Sequence, residues 1–325
     1  MFTPIGILAS SDSTAAQAPP GEGPGETTAI EPGSHYWNVD ETGSDYQDSG
    51  DNSGDTGIWY FEREGDEINP NVSLRLDETG NAFAHTVTGG SKTNALSPIV
   101  VNSGNSTTPR MPADLSGDFT VEIALRQVGF GSEHGLTVHM VGVFILGFDR
   151  YDGGATITPT FQLLNPKGSD TAVSGPGYIT QQSDTIQSTT DYNNLVIKDA
   201  RGSTTALVDN TYHLLGTFEA SSKTMKLYVD GVLADTQTLT TGEYNSFLLG
   251  DDADAQKDLS DGTRYKRDRI YVMPNRSIAG DGSANELAYT NGGYSDDLRI
   301  HQGTYMSDNQ AAAQASLYRL GSSLV

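Results

Sequence analysis

Apolar and polar residues alternate one for one along several short stretches of this chain. Over residues 119–125 the order Phe-Thr-Val-Glu-Ile-Ala-Leu puts Phe119, Val121, Ile123 and Leu125 on one face of a strand. Residues 71–76 (Asn-Val-Ser-Leu-Arg-Leu) alternate in the same way. Both patterns predict strands with one buried face. Residues 136–147 are longer and more apolar, which predicts two strands meeting near Gly142. Residues 212–220 read as a strand, 221–224 as a polar turn, and 225–229 as a second strand with Leu227 and Val229 on one face. Asp230-Gly231 then signals a tight hairpin, because a type I′ turn needs positive φ at both central positions. Residues 232–236 return along it, residues 247–250 (Phe-Leu-Leu-Gly) suggest a further strand end, and residues 294–300 a late strand. The helical signal is confined to residues 307–318, where Ser307 or Asp308 can cap and Ala311, Ala312 and Ala313 propagate. With 37 Gly and 13 Pro to supply turns, the pattern predicts an all-β fold: a two-sheet antiparallel sandwich.

The first 35 residues break this pattern. Phe2, Ile5, Ile7 and Leu8 make an apolar peg within residues 1–9, and residues 10–33 are a Ser/Ala/Pro/Gly/Glu run. Such a run cannot bury enough apolar surface to offset its ordering entropy, so it reads as an extended N-terminal arm. The expected organisation is residues 1–35 as arm and anchor, and residues 36–325 as one sandwich domain. The peg either docks on another chain or folds back on its own domain. Trp37 and Trp59 bracket an acidic, Gly-punctuated loop at residues 45–55, which reads as solvated rather than as a helix-loop-helix calcium site.

Charge narrows the partners. Nineteen Lys plus Arg stand against 42 Asp plus Glu, a net charge of −23. That field repels phosphate backbones and anionic lipid, so neither nucleic acid nor membrane is an expected partner. Cysteine is absent, which favours folding in a reducing cytoplasm. The opening residues carry no positive n-region, and Pro4 and Gly6 interrupt their apolar stretch; neither a signal peptide nor a membrane span is expected there.

The hairpin over residues 212–236, with its Leu-Tyr-Val-Asp-Gly at 227–231, resembles concanavalin A-like lectin/glucanase domains in the laminin G-like and pentraxin-like branch. The block at 294–300 (Tyr-Ser-Asp-Asp-Leu-Arg-Ile) followed by a Ser-Asp helix resembles the closing pattern of that branch. The resemblance runs over about residues 205–320 and extends plausibly back to about residue 57. It implies a jelly-roll sandwich. The interval 251–293 departs from the family, where a short connection is expected; it reads as an insertion loop with its own hairpin, suited to partner contact.

Glucanase members of the fold carry two carboxylates on one strand in a Glu-x-Asp-x-Glu-like run, one as nucleophile and one as acid. No such run occurs here; Glu62, Glu64, Asp66 and Glu67 lie in a charged turn. The six histidines, His35, His85, His134, His139, His213 and His301, show no metal-ligand spacing, and there is neither a nucleophile elbow nor a phosphate loop. A non-catalytic protein is therefore expected, with no required cofactor. Calcium is the one candidate ion. Lectin-like members hold it through loop Asp and Asn, and Asp251, Asp252 and Asp254, with Asp258 and Asp261 nearby, offer hard oxygen donors; a solvated acidic loop is the alternative.

The peg, the leash, the missing cysteine and a lectin-like sandwich without a catalytic pair together resemble bacteriophage head-decoration or fibre proteins. That resemblance implies a virion structural role, assembly in the host cytoplasm, capsid or tail proteins as partners, and a homo-oligomer such as a trimer. The alternative is a carbohydrate-binding adhesin module, whose aromatic platform would come from Tyr151, Tyr178, Tyr244 and Tyr294. A fibre could also bind host surface glycan. A glycoside hydrolase with displaced carboxylates is the third reading.

Overall fold

The structure is a computed structural model. It describes residues 28–31, 33–37, 50, 58–61, 68–69, 74–76, 82–85, 99–102, 115, 117–127, 136–140, 143–150, 156–164, 196–202, 206–207, 209–248, 269–274 and 293–321. In chain order the strands are β1 (His35–Trp37), β2 (Ile58–Phe61), β3 (Ile68–Asn69), β4 (Ala82–His85), β5 (Ile99–Asn102), β6 (Phe119–Gln127), β7 (Leu136–Met140) and β8 (Phe144–Arg150). There follow β9 (Thr156–Leu164), β10 (Val196–Arg201), β11 (Ala206–Leu207), β12 (Thr211–Glu219), β13 (Thr224–Val229) and β14 (Val232–Thr238), helix α1 (Thr241–Leu248), β15 (Arg269–Pro274), β16 (Gly293–Gln302) and helix α2 (Asp308–Ala315).

They form two antiparallel sheets. The first runs β14-β13-β12-β6-β16-β4-β3, with β1 beside β16; the second runs β10-β9-β8-β7-β15-β5-β2, with β11 beside β9. Neighbours in the first sheet are far apart in sequence: Phe119–Gln127 lies between Thr211–Glu219 on one side and Gly293–Gln302 on the other. This is the expected jelly-roll sandwich. The hairpin at Asp230-Gly231 takes φ of 53° and 76°, the two positive values a type I′ turn requires. Residues 136–147 divide as expected into β7 and β8, which pair as a hairpin.

Alternation builds the core between the sheets. Phe119, Val121, Ile123 and Leu125 of β6, Leu214 and Phe218 of β12, and Leu298 and Ile300 of β16 face Phe144, Leu146 and Phe148 of β8 and Phe161 and Leu163 of β9. The ring of Phe119 lies 5.8–6.4 Å from those of Phe144, Phe161, Phe218 and Phe247. Gly216 makes room for Phe161: a Cβ there would sit 2.5 Å from the Phe161 ring. At that contact a side chain cannot fit without moving one sheet.

Four expectations are corrected. First, β6 is buried along its whole length, not on one face. Its outer face (Thr120, Glu122, Ala124, Arg126) is covered by residues 30–37, residues 74–76 and the segment 306–321. Second, residues 74–76 are no strand; Arg75 makes an isolated bridge to Tyr318, with Leu74 buried and Leu76 54% exposed. Third, Phe247 and Leu248 end helix α1 rather than a strand; Thr240 caps that helix through its Oγ1, which accepts from Glu243 N, while Glu243 accepts from Thr240 N. Fourth, the interval 251–293 is not merely an insertion loop: Arg269–Pro274 is an inner strand of the second sheet, pairing with β7 on one side and β5 on the other. Its alternating Ile270, Val272 pattern is the local signal for that strand.

Ile30, Glu31 and Ser34 are tied into the sandwich. Ile30 N donates to Gln314 Oε1 (3.0 Å), Gln314 Nε2 donates back to Ile30 O (3.0 Å), and Ser34 Oγ accepts from Gln302 N (2.9 Å). At the other end of the chain, α2 has the capping box its sequence suggests: Ser307 Oγ accepts from Gln310 N, and Gln310 Oε1 from Ser307 N. The Gly231 turn abuts this helix, since a Cβ on it would lie 2.7 Å from Ala312 Cα.

Candidate functional site

The outer face of the first sheet carries two groups of buried polar side chains. Period two directs Glu122 and Arg126 of β6 and Thr211 and His213 of β12 to this side; on β16 the register shift between Asp296 and Arg299 brings Tyr294 to the same side as Arg299 and His301. They form two groups with different character.

The first group is centred on Glu122, which is fully buried. Its Oε2 accepts from His213 Nε2 at 2.8 Å and its Oε1 from His301 Nε2 at 2.9 Å, while Gln314 Nε2 also donates to Oε1. A carboxylate only accepts, so both histidines carry their proton on Nε2. Their Nδ1 atoms are buried without a hydrogen-bond partner. Burial alone would raise the Glu122 pKa; the bonds and charge from His213 and His301 outweigh it and hold the carboxyl well below the ordinary carboxylate range. Arg299 lies 3.8 Å from Glu122 and also meets Glu31 at 2.9 Å and Asp297 at 3.5 Å. Its guanidinium stands 4.2 Å over the Tyr36 ring and donates to Tyr318 Oη. Burial works against its charge, yet the surrounding oxygens keep Arg299 protonated, with its pKa raised above the ordinary value. Tyr36 Oη donates to Asp297 (2.6 Å), Arg75 bridges Glu31 (2.7 Å) and Asp297 (3.4 Å), and His213 stacks on Tyr318 at 4.6 Å. The network joins the arm, the sheet and the C-terminal segment. Glu122 and Asp297 are fully buried and held by fixed donors, so the network is a clamp, with Glu31 at its exposed edge.

The second group lies two alternations further along β6. Arg126 is paired with Thr211 on one side and Tyr294 on the other. Its guanidinium carbon is 6.0 Å from the Tyr294 ring centroid. Arg126 is 7% exposed, and its Nε and Nη1, together with Thr211 Oγ1, are buried without any hydrogen-bond partner.

Of the residues nominated from sequence, Tyr294 falls in this second group and is half-buried against Leu74, Ala124 and Tyr318. Tyr244 sits in α1, packed against the core with its ring 6.0 Å from Phe218 and Lys223 Nζ at 5.8 Å. The structure does not bring Tyr244 and Tyr294 together: one lies at the edge of the inter-sheet core, the other on the outer face. Tyr151, Tyr178, the acidic Asp251, Asp252 and Asp254, and the peg residues Phe2, Ile5, Ile7 and Leu8 lie outside the described residues. Among the described residues no group of three His, Asp or Glu side chains is arranged to hold a metal ion. Sequence reasoning missed Arg126 and Glu122; a charged residue on an otherwise apolar strand was the available signal.

The sandwich also matches known sequences and structures. Residues 153–263 match a family model described as the concanavalin A-like lectin/glucanases superfamily. This span holds strands β9 to β14 and helix α1, including the Asp230-Gly231 hairpin. No curated protein matches the chain in sequence. Among solved structures, the binding domain of botulinum neurotoxin serotype C1 is similar at 10% identity and TM-score 0.47, covering 87% of this chain and 52% of that one. The chain thus spans about half the length of that neurotoxin structure. A heptameric SAP-like pentraxin from Limulus polyphemus is similar at 11% identity and TM-score 0.30, covering 61% and 69%. The Ruminococcus gnavus IT-sialidase CBM40, bound to alpha2,3 sialyllactose, is similar at 13% identity and TM-score 0.34, covering 62% and 90%.

Proposed function

We propose that this chain is a non-catalytic carbohydrate-binding module, of adhesin type, built on a lectin-like sandwich. The observation that carries the reading is the match of residues 153–263 to the concanavalin A-like lectin/glucanases superfamily. Within that superfamily the binding reading is favoured over the hydrolytic one by the carboxylates of the first sheet. Glu122 and Asp297 are wholly buried and tied to His213, His301, Tyr36 and Arg75. A glycosidase needs two carboxyl groups facing one open groove, roughly 5–10 Å apart. The virion role expected from the peg, the leash, the missing cysteine and a sandwich without a catalytic pair draws no support from the relatives.

The test is a glycan array probed with the full chain, run beside assays for reducing ends released from β-glucan and agar. Saturable binding to a defined glycan set with no turnover is expected. Turnover that a single carboxylate substitution abolishes, or an array with no glycan bound, would overturn the reading.

A further inference from the structure

We infer that Asp308, Thr236, Leu233 and Tyr305 form a contact site for a neutral saccharide, where the outer face of the first sheet reaches β14. The inference deepens the carbohydrate-binding reading above and rests on it.

The sheet positions these groups. Lys226 of β13 lies across the ladder from Thr236 of β14, and Tyr228 from Leu233, so the four side chains share one face. Met225 and Leu227 point the other way, into the core, which makes this the outer face. Lys226 and Tyr228 are buried there. Their polar ends meet on one atom: Lys226 Nζ donates to Asp308 Oδ1 at 3.0 Å, and Tyr228 Oη donates to the same oxygen at 2.6 Å. Tyr305 stands beside them, with Lys226 Nζ 5.4 Å from its ring centroid. Partial burial would raise the Asp308 pKa; the bonds from Tyr228 and Lys226 and the charge of Lys226 outweigh it and hold the carboxyl below its ordinary value, ionised at neutral pH.

Access separates this cluster from the clamp. The Asp308 side chain is 52% exposed, and its Oδ2 accepts nothing among the described residues. Thr236 is exposed, and Leu233 is 42% exposed, one of three large apolar side chains open to solvent among the described residues. Two buried donors thus fix a carboxylate that remains open to solvent. Helix α2 does not depend on Asp308 for its attachment: Met306 and Ala311 pack with Leu215 and Tyr228, and Ser307 supplies the cap. A fixed acceptor spares a ligand the cost of ordering it. The chemistry selects the ligand class. A carboxylate takes hydrogen-bond donors only, and the Thr236 hydroxyl can donate or accept. Lys226 already neutralises Asp308, so a cationic ligand gains little. An anionic ligand meets Asp308 and a chain of net charge −23. An aliphatic side chain and an aromatic ring beside these polar groups suit the apolar face of a sugar ring. A neutral saccharide meets all four groups.

The experiment probes one array of immobilised glycans with the full chain, with Asp308→Asn and with Thr236→Arg. The array carries neutral glucose, galactose and mannose oligosaccharides beside hyaluronate and sialyllactose. Neutral glycans are expected to bind, with apparent affinity at least five-fold lower for Asp308→Asn, which keeps the shape of the side chain and removes its charge. Thr236→Arg puts a bulky side chain at an exposed position that the Lys226–Asp308 contact does not use; the same five-fold fall is expected, with an unchanged melting temperature. A smaller fall in either variant overturns the site and leaves the carbohydrate-binding reading standing. Binding confined to hyaluronate and sialyllactose overturns the neutral assignment. An array on which no glycan is bound overturns the site and the carbohydrate-binding reading together. If Asp308→Asn does not fold by circular dichroism, Thr236→Arg decides alone.

Discussion

Replacing Glu122 by Gln is the most direct test of the clamp that holds the outer face together. The substitution keeps the shape and removes the charge. In the native protein both carboxylate oxygens accept, one from His213 and the other from His301 and Gln314, with Arg299 close by. A carboxamide must turn its NH2 toward one of these sets of donors, so at least one buried donor loses its acceptor and Arg299 loses one of its counter-charges. Removing one partner from a buried charged network costs about 3–5 kcal/mol. For a domain of this size a loss of 1 kcal/mol lowers Tm by roughly 2–4 °C, so the fall should be about 6–20 °C. Urea denaturation followed by circular dichroism gives the free energy, and calorimetry gives Tm. The pH dependence has a definite sign. The folded pKa of Glu122 lies below the ordinary 4.5, so its contribution is fully present above that value and is lost as pH falls toward the folded pKa. The gap between wild type and Glu122→Gln should therefore be widest near neutrality and shrink below about pH 4.5. A variant within about 1 kcal/mol of wild type at pH 7, or a gap that widens on acidification, would refute the clamp.

Other perturbations test the packing. Gly216→Ala drives a methyl to 2.5 Å from the Phe161 ring and should cost about 1–3 kcal/mol, read as a lower urea midpoint with an unchanged slope. Gly231→Ala meets both a φ of +76° and Ala312 Cα at 2.7 Å; a loss of about 1–3 kcal/mol is expected, and a neutral result would mean the hairpin tip does not rest on α2. Ser307→Ala removes the acceptor for Gln310 N and should cost about 1 kcal/mol, measured by thermal melting, with Ser307→Asp restoring most of it.

What the sequence determined by itself was local. Alternation at 119–125 and 212–229 placed the strands and sorted Phe119, Val121, Leu214 and Leu227 to the core, because side-chain direction in a strand depends only on parity. Asp230-Gly231 fixed its turn, and Ser307 its cap, because both devices are complete within four residues. What only the tertiary structure decided was non-local. The outer face of β6 was expected to meet solvent, yet residues 30–37 and 306–321 cover it, nearly 90 positions before and 180 positions after the strand. No local period reports a cover that distant. The same cause hid the chemistry. Glu122 and Arg126 occupy equivalent outward positions on one strand, two alternations apart, and look alike in sequence. Their neighbours separate them: His213 and His301, diagonal to Glu122 across the ladder, hold its carboxylate, whereas Thr211 and Tyr294 pair directly with Arg126 and leave its Nε and Nη1 without an acceptor. Strand register, set by the whole sheet, made Glu122 a structural clamp and left Arg126 beside groups that do not satisfy it.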